Sequence, residues 1–129
     1  MAESELYRKG AEMRRKLLGD EFVEQTNRTT YADPFMRKFI DLGHETVFGA
    51  LWTRPGLDLK TRTLVTVVSD ASTGRSEELA IHLRMAVRQG WTKDELTEVL
   101  LHLMGYVGAP LIREAMLTAK KVFEETNAR

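Results

Sequence analysis

The stretch Ser76-Glu77-Glu78-Leu79-Ala80-Ile81-His82-Leu83-Arg84-Met85-Ala86-Val87-Arg88-Gln89-Gly90 decides the fold class. Ser76 can cap a helix, acids fill the first turn and Gly90 can end it. Leu79, His82, Leu83 and Ala86 recur at i, i+3, i+4 and i+7, which places His82 on the apolar stripe. Glu78 lies one turn before His82, where the two side chains can meet. A carboxylate beside an imidazole at the margin of a core has a shifted, usable proton affinity. Two readings of the pair stand: a working acid–base group, or a core histidine satisfied by its own glutamate.

Outward from this helix the same periodicity continues. Thr92 with Glu95 has the spacing of a capping box, and Trp91 with Leu96 that of a hydrophobic staple, opening a helix to about Tyr106. A last helix runs from about Pro110 to Glu125. Upstream, Asp58 caps a helix over 59–72, in which Leu64, Val65, Val67 and Val68 make an apolar, central element. Asp70 is an unusual residue near its end; it either caps the following turn or points into a pocket. Trp52-Thr53-Arg54-Pro55-Gly56-Leu57 is a break, since Pro-Gly marks a turn. Arg54 there can grip a carboxylate with two hydrogen bonds, with Trp52 beside it; the alternative is a packed tryptophan and a structural ion pair. Asp33-Pro34 starts the preceding helix, whose broad apolar side holds Phe35, Phe39, Ile40, Val47 and Phe48. His44 and Glu45 lie near its end, facing either a cleft or the surface. A first helix spans about 5–18, stopped by Gly19, with Asp20 as cap of a short one over 21–27. Arg8, Lys9, Arg14, Arg15 and Lys16 read as a solvated basic face.

No segment alternates with period two, so the predicted fold is all-α, six to seven helices in a single domain over residues 1–129. Lysine plus arginine and aspartate plus glutamate each number 19. That balance gives no phosphate-binding footprint and no electrostatic grip on a membrane. The absence of cysteine removes disulfides, thiolate metal sites and thiol redox chemistry. No apolar run reaches membrane-spanning length and no signal-peptide pattern opens the chain, so a cytoplasmic protein is expected.

The runs Leu51–Arg62 (with W-x-R-P-G-L-D) and Glu77–Arg84 (with E-L-x-x-H), the Gly90-Trp91-Thr92 turn and Tyr106-Val107-Gly108-Ala109-Pro110 occur in a familiar order. Together they resemble the carboxymuconolactone decarboxylase family, within the larger alkylhydroperoxidase-D-like group. The resemblance implies a compact helical fold, assembly into trimers or hexamers, and a small cleft lined by the second half of the chain, often at a subunit boundary. The family's signature histidine falls on His82. In the peroxidase branch a C-x-x-C pair precedes it; here those places hold Arg75 and Glu78, which argues against thiol peroxidase activity. Many decarboxylase members carry a glutamate where this chain has Ala50, and Glu45 is a candidate substitute.

The namesake reaction implies a carboxylated, unsaturated lactone from aromatic-acid breakdown. Loss of carbon dioxide leaves a carbanion that spreads into the lactone carbonyl, so no metal or organic cofactor is required. The expected roles are His82 for proton delivery or oxyanion stabilisation, Glu78 to orient it, and Arg54, Trp52, Glu45 and Asp70 for substrate binding. Alternatives are a lactone hydrolase, isomerase or other lyase on the same scaffold, or a non-catalytic oligomeric binding protein.

Overall fold

Side-chain chemistry at the helix ends explains most of the element boundaries. The structure, a computed structural model, describes residues 3–129, and among them it contains helices and no strand. Seven α-helices occur: α1 (Glu5–Leu18), α2 (Asp20–Arg28), α3 (Pro34–Gly43), α4 (Leu59–Thr73), α5 (Ser76–Arg88), α6 (Lys93–Val107) and α7 (Ala109–Thr126). A 3-10 turn, Thr30–Ala32, precedes α3, and a π-helical segment, His44–Leu51, follows it. Asp33, Asp58 and Thr92 each accept a backbone N–H at the start of α3, α4 and α6. The Thr92–Glu95 capping box closes in both directions.

Two expected caps differ. The residue preceding α5 is Arg75, and Ser76 is already helical. Likewise Gly19, at φ 90°, precedes α2, with Asp20 in its first turn. Acids near a helix N-terminus still favour it through the aligned peptide dipoles, so both helices form without a side-chain cap.

The single-domain reading of residues 1–129 stands beside a division of the contacts into two compact units, Met1–Leu57 and Asp58–Arg129. In the first unit α1 packs on the π-helical segment through glycines. A Cβ placed on Gly10 would stand 1.7 Å from the carbonyl oxygen of His44, and one on Gly49 would stand 2.3 Å from that of Leu6. Two backbones therefore touch where a side chain would keep them apart. The Trp52 N–H donates to the carbonyl of Val47, five residues back, the pattern of the wider helix.

The expected apolar side of the 34–51 region is not a core face. Ile40 is buried, but Phe35, Phe39 and Val47 are 78%, 65% and 44% exposed. The basic cluster is also not uniformly solvated: Arg14 is only 2% exposed.

The second unit holds the larger apolar cluster. Val67 of α4, Leu79, Leu83 and Ala86 of α5, Leu96 and Leu100 of α6, and Ile112, Ala115 and Ala119 of α7 form one buried group. The stripe read from the 76–90 stretch therefore faces the interior, where each fully buried leucine contributes about 1.5–3 kcal/mol. Gly74, in the left-handed region at φ 72°, closes α4 and lets the chain reverse into α5.

The glycine contact yields a test. Gly10→Ala forces the two backbones apart, and overpacking of this kind costs about 1–3 kcal/mol. Urea unfolding is expected to show a loss in that range; a loss within experimental error would mean that α1 and the π-helical segment do not meet as described.

Candidate functional site

Reversal of the chain at Gly74 sets α4 beside α5, and polar side chains cross their seam at two levels. At the first, His82 Nδ1 lies 2.5 Å from Asp70 Oδ2. Asp70 is 7% exposed at its side chain and His82 19%. At the second, the Gln89 Nε2–H donates to Thr63 Oγ1 at 2.5 Å, and Thr63 Oγ1–H donates to the Leu59 carbonyl at 2.8 Å. Thr63 precedes Asp70 by two helical turns and Gln89 follows His82 by two. Both levels therefore belong to one antiparallel register. Beyond them, Trp91 Nε1–H donates to the Lys60 carbonyl at 3.0 Å, and the Lys60 ammonium sits 4.5 Å from the tryptophan ring centre. Buried Val67, Met85 and Ala86 lie between the two levels in sequence.

This register decides what the imidazole can do. Asp70 is acceptor-only when ionised, so its bond fixes a proton on Nδ1. Nε2 has no hydrogen-bond partner among the described residues, yet it is not one of the polar atoms sealed from the surface without a partner. The ring thus presents one anchored nitrogen and one reachable nitrogen. An imidazole held this way can pass a proton at Nε2 while a buried carboxylate supports the imidazolium.

The six residues singled out from the sequence divide between the two units. Asp70 and His82 meet. Glu78 is exposed on α5; the carboxylate hydrogen-bonded to the imidazole is Asp70's rather than that of Glu78. Glu45, Trp52 and Arg54 lie in the first unit. Glu45 accepts a hydrogen bond from Ser4 Oγ at 2.8 Å and lines a hollow of about 510 Å³ with Tyr7, Arg37 and Asp41. Trp52 is 7% exposed, and Arg54 is exposed in the turn that follows. A larger apolar groove of about 1120 Å³ runs along α6 and α7, lined by Leu101, Met104, Met116 and Phe123 among others. None of the six residues lines that groove, and neither hollow includes His82.

His102, on α6, is exposed and stacks at 5.2 Å on the exposed Tyr106 ring. Among the described residues no three of His, Asp and Glu gather in a way that could hold a metal ion. No described helix is long and apolar enough to cross a membrane.

The sequence profile of the carboxymuconolactone decarboxylase family matches residues 35–121. The chain is 36% identical over 125 residues to the 4-carboxymuconolactone decarboxylase of Acinetobacter baylyi, covering 97% of this chain and 92% of that one. It is 37% identical over 120 residues to the nitrosuccinic acid decarboxylase of Metarhizium robertsii, covering 93% and 82%. An uncharacterized 15.0 kDa protein of Paracoccus denitrificans is 34% identical over 80 residues, covering 60% of each chain.

The pairing of His82 with Asp70 rather than Glu78 is directly measurable. A ring proton bridged to a buried carboxylate is shielded from exchange and gives a far-downfield proton resonance. Asp70→Asn is expected to abolish or shift that signal, and Glu78→Gln to leave it in place. The reverse pattern would return the orienting role to Glu78.

Proposed function

The chain belongs to the carboxymuconolactone decarboxylase family, and on that premise we propose that it is a cofactor-independent decarboxylase of a small, carboxylated, unsaturated lactone of the 4-carboxymuconolactone type, working in aromatic-acid breakdown. The observation that carries this reading is His82: buried on one side by Asp70, reachable on the other. The names of two relatives add support, since both are decarboxylases.

The chemistry needs little more. Cleavage of the C–C bond to the carboxylate releases carbon dioxide and leaves its electron pair on carbon. In the lactone that pair moves through the double bond onto the carbonyl oxygen. The imidazolium of His82 then donates its Nε2 proton to carbon, the carbonyl re-forms, and solvent reprotonates the ring. Asp70 keeps Nδ1 protonated throughout and offsets the positive charge on the ring. Arg54 grips a substrate carboxylate, and Trp52 supports the turn that presents it. Glu45 takes the place of the acid missing at Ala50.

Assembly into a trimer or hexamer is part of the same proposal. Exposed Phe35, Phe39 and Leu42, at i, i+4 and i+7 on one face of α3 and each more than 60% accessible, support it, because monomers rarely leave such an apolar face uncovered.

A second reading, decarboxylation of a nitro acid, rests on the likeness to the Metarhizium protein. A nitro group can take up the electron pair as the lactone carbonyl does. The proton donor is then the same, and only the electron sink differs.

Carbon dioxide release from both substrate types, with wild type and His82→Ala, tests the reading. The wild type is expected to turn over the lactone, and His82→Ala to lose about 10²-fold or more in rate with its oligomeric state unchanged. Equal turnover in the two proteins would remove His82 from the reaction. Turnover of the nitro acid alone would favour the second reading.

A further inference from the structure

Away from His82, the first unit buries a second histidine that the proposed reaction does not use. His44 opens the π-helical segment and is 7% exposed. Arg14 of α1, 2% exposed, places Nη1 at 3.4 Å from His44 Nε2. A guanidinium only donates, so Nε2 is the acceptor and the proton of the neutral ring sits on Nδ1. That Nδ1 is sealed from the surface and has no hydrogen-bond partner.

Arg14 is satisfied entirely by neutral groups. Its Nη1 donates to Asn27 Oδ1 at 3.1 Å and its Nη2 to Thr26 Oγ1 at 2.9 Å, and the guanidinium lies 5.2 Å from the Tyr31 ring centre. No carboxylate within 4.0 Å pairs with it among the described residues. A buried cation without an anion is poised against any further positive charge.

The groups around His44 supply little to offset one. From α1 come Arg14 and Tyr7, whose ring meets the imidazole edge-on at 4.8 Å. From α3 come Arg37 and Asp41, already paired with each other at 3.1 Å, with Asp41 also accepting from the Tyr7 hydroxyl. On the segment itself are Glu45, which takes a hydrogen bond from Ser4, and the Phe48 ring at 6.4 Å. Burial first, then the Arg14 charge, hold the His44 imidazole below its ordinary value of 6.5, with Asp41 opposing.

The same residue marks the close approach of α1 to the π-helical segment. The His44 carbonyl is the atom nearest to a Cβ on Gly10 and also faces Gly49. Downstream, the segment continues into the turn of Trp52 and Arg54. The Trp52 N–H is bonded to Val47 and the Arg54 N–H to Leu51, while Thr53 Oγ1–H donates to the Gly49 carbonyl.

We propose that Arg14 and His44 form an acid-operated latch. The neutral ring lets α1 seat on the π-helical segment; a proton on it sets two cations side by side in a buried space, drives the elements apart and loosens the Trp52–Arg54 turn. Because the native fold favours the neutral ring, the stability from this contact is complete above the unfolded value near 6.5 and is lost as pH falls below it. The consequence for activity, a rise in KM as the Arg54 turn loosens, rests on the carboxylate-gripping role given to Arg54 above; the latch itself does not.

Amide hydrogen exchange of the full chain between pH 7.5 and 5, corrected for intrinsic exchange, tests it alongside the NMR titration of the His44 ring. In the wild type, protection along α1 is expected to fall by up to about tenfold per pH unit below 6.5, the limit for one proton. The α4 and α5 amides are expected to hold. His44→Gln, which cannot take the proton, is expected to flatten the α1 profile. The latch is overturned by a ring that titrates at or above 6.5, by pH-independent protection of α1, or by the same profile in His44→Gln. If that variant does not fold, the wild-type titration and exchange decide by themselves. Exchange behaviour as expected with no decarboxylation of either substrate would leave the latch standing and reject the reaction.

Discussion

One hydrogen bond, from the His82 ring to the Asp70 carboxylate, joins the fold to the proposed chemistry. It anchors one ring nitrogen of a histidine on an otherwise apolar stripe. A 2.5 Å contact survives only if α4 and α5 cannot slide, and several features prevent that. Gly74 sets the reversal. Leu79, Leu83 and Ala86 are locked into the core. The Gln89–Thr63 and Trp91–Lys60 bonds pin the far end of the seam. A shift of one residue along α5 would face Asp70 with Ile81 or Leu83, leaving a buried carboxylate unpaired at a cost of several kcal/mol.

This arrangement suits a reaction in which the substrate supplies its own electron sink. The chain has no thiol, and decarboxylation next to a carbonyl or nitro group needs none. What it requires of a protein is a proton held at a defined place, a cation for the carboxylate that stays, and exclusion of water. The two relatives named as decarboxylases act on chemically different acids. A proton donor indifferent to the identity of the sink reconciles them, with substrate choice left to the residues around it.

Much of the second unit was legible in the sequence. The stripe of Leu79, Leu83 and Ala86, the capping box at Thr92 and the aspartate cap at residue 58 are local signals, written within one or two turns. The Asp70–His82 pair is not local. Glu78 was the nearer acid by sequence, but it lies at the exposed start of α5, whereas Asp70 reaches the ring across the seam. The clue was an aspartate near the end of an apolar helix, twelve residues before a histidine, with a glycine turn between them. The first unit was less legible. Its glycine-mediated contact and π-helical turns depend on backbone approach, which hydrophobic periodicity does not register. For the same reason Arg14, one of five cations in a basic stretch, gave no sign of being buried, and the aromatic face of α3 looked like core.

The most direct measurement of the central claim is the stereochemistry of proton delivery. With the lactone turned over by the wild-type protein in deuterated water, NMR of the product reports where the new hydrogen sits. A ring anchored by Asp70 and open at Nε2 predicts one deuterium on a single face of the carbon. Equal labelling of both faces would contradict it, since the proton would then come from bulk water rather than from a fixed imidazole.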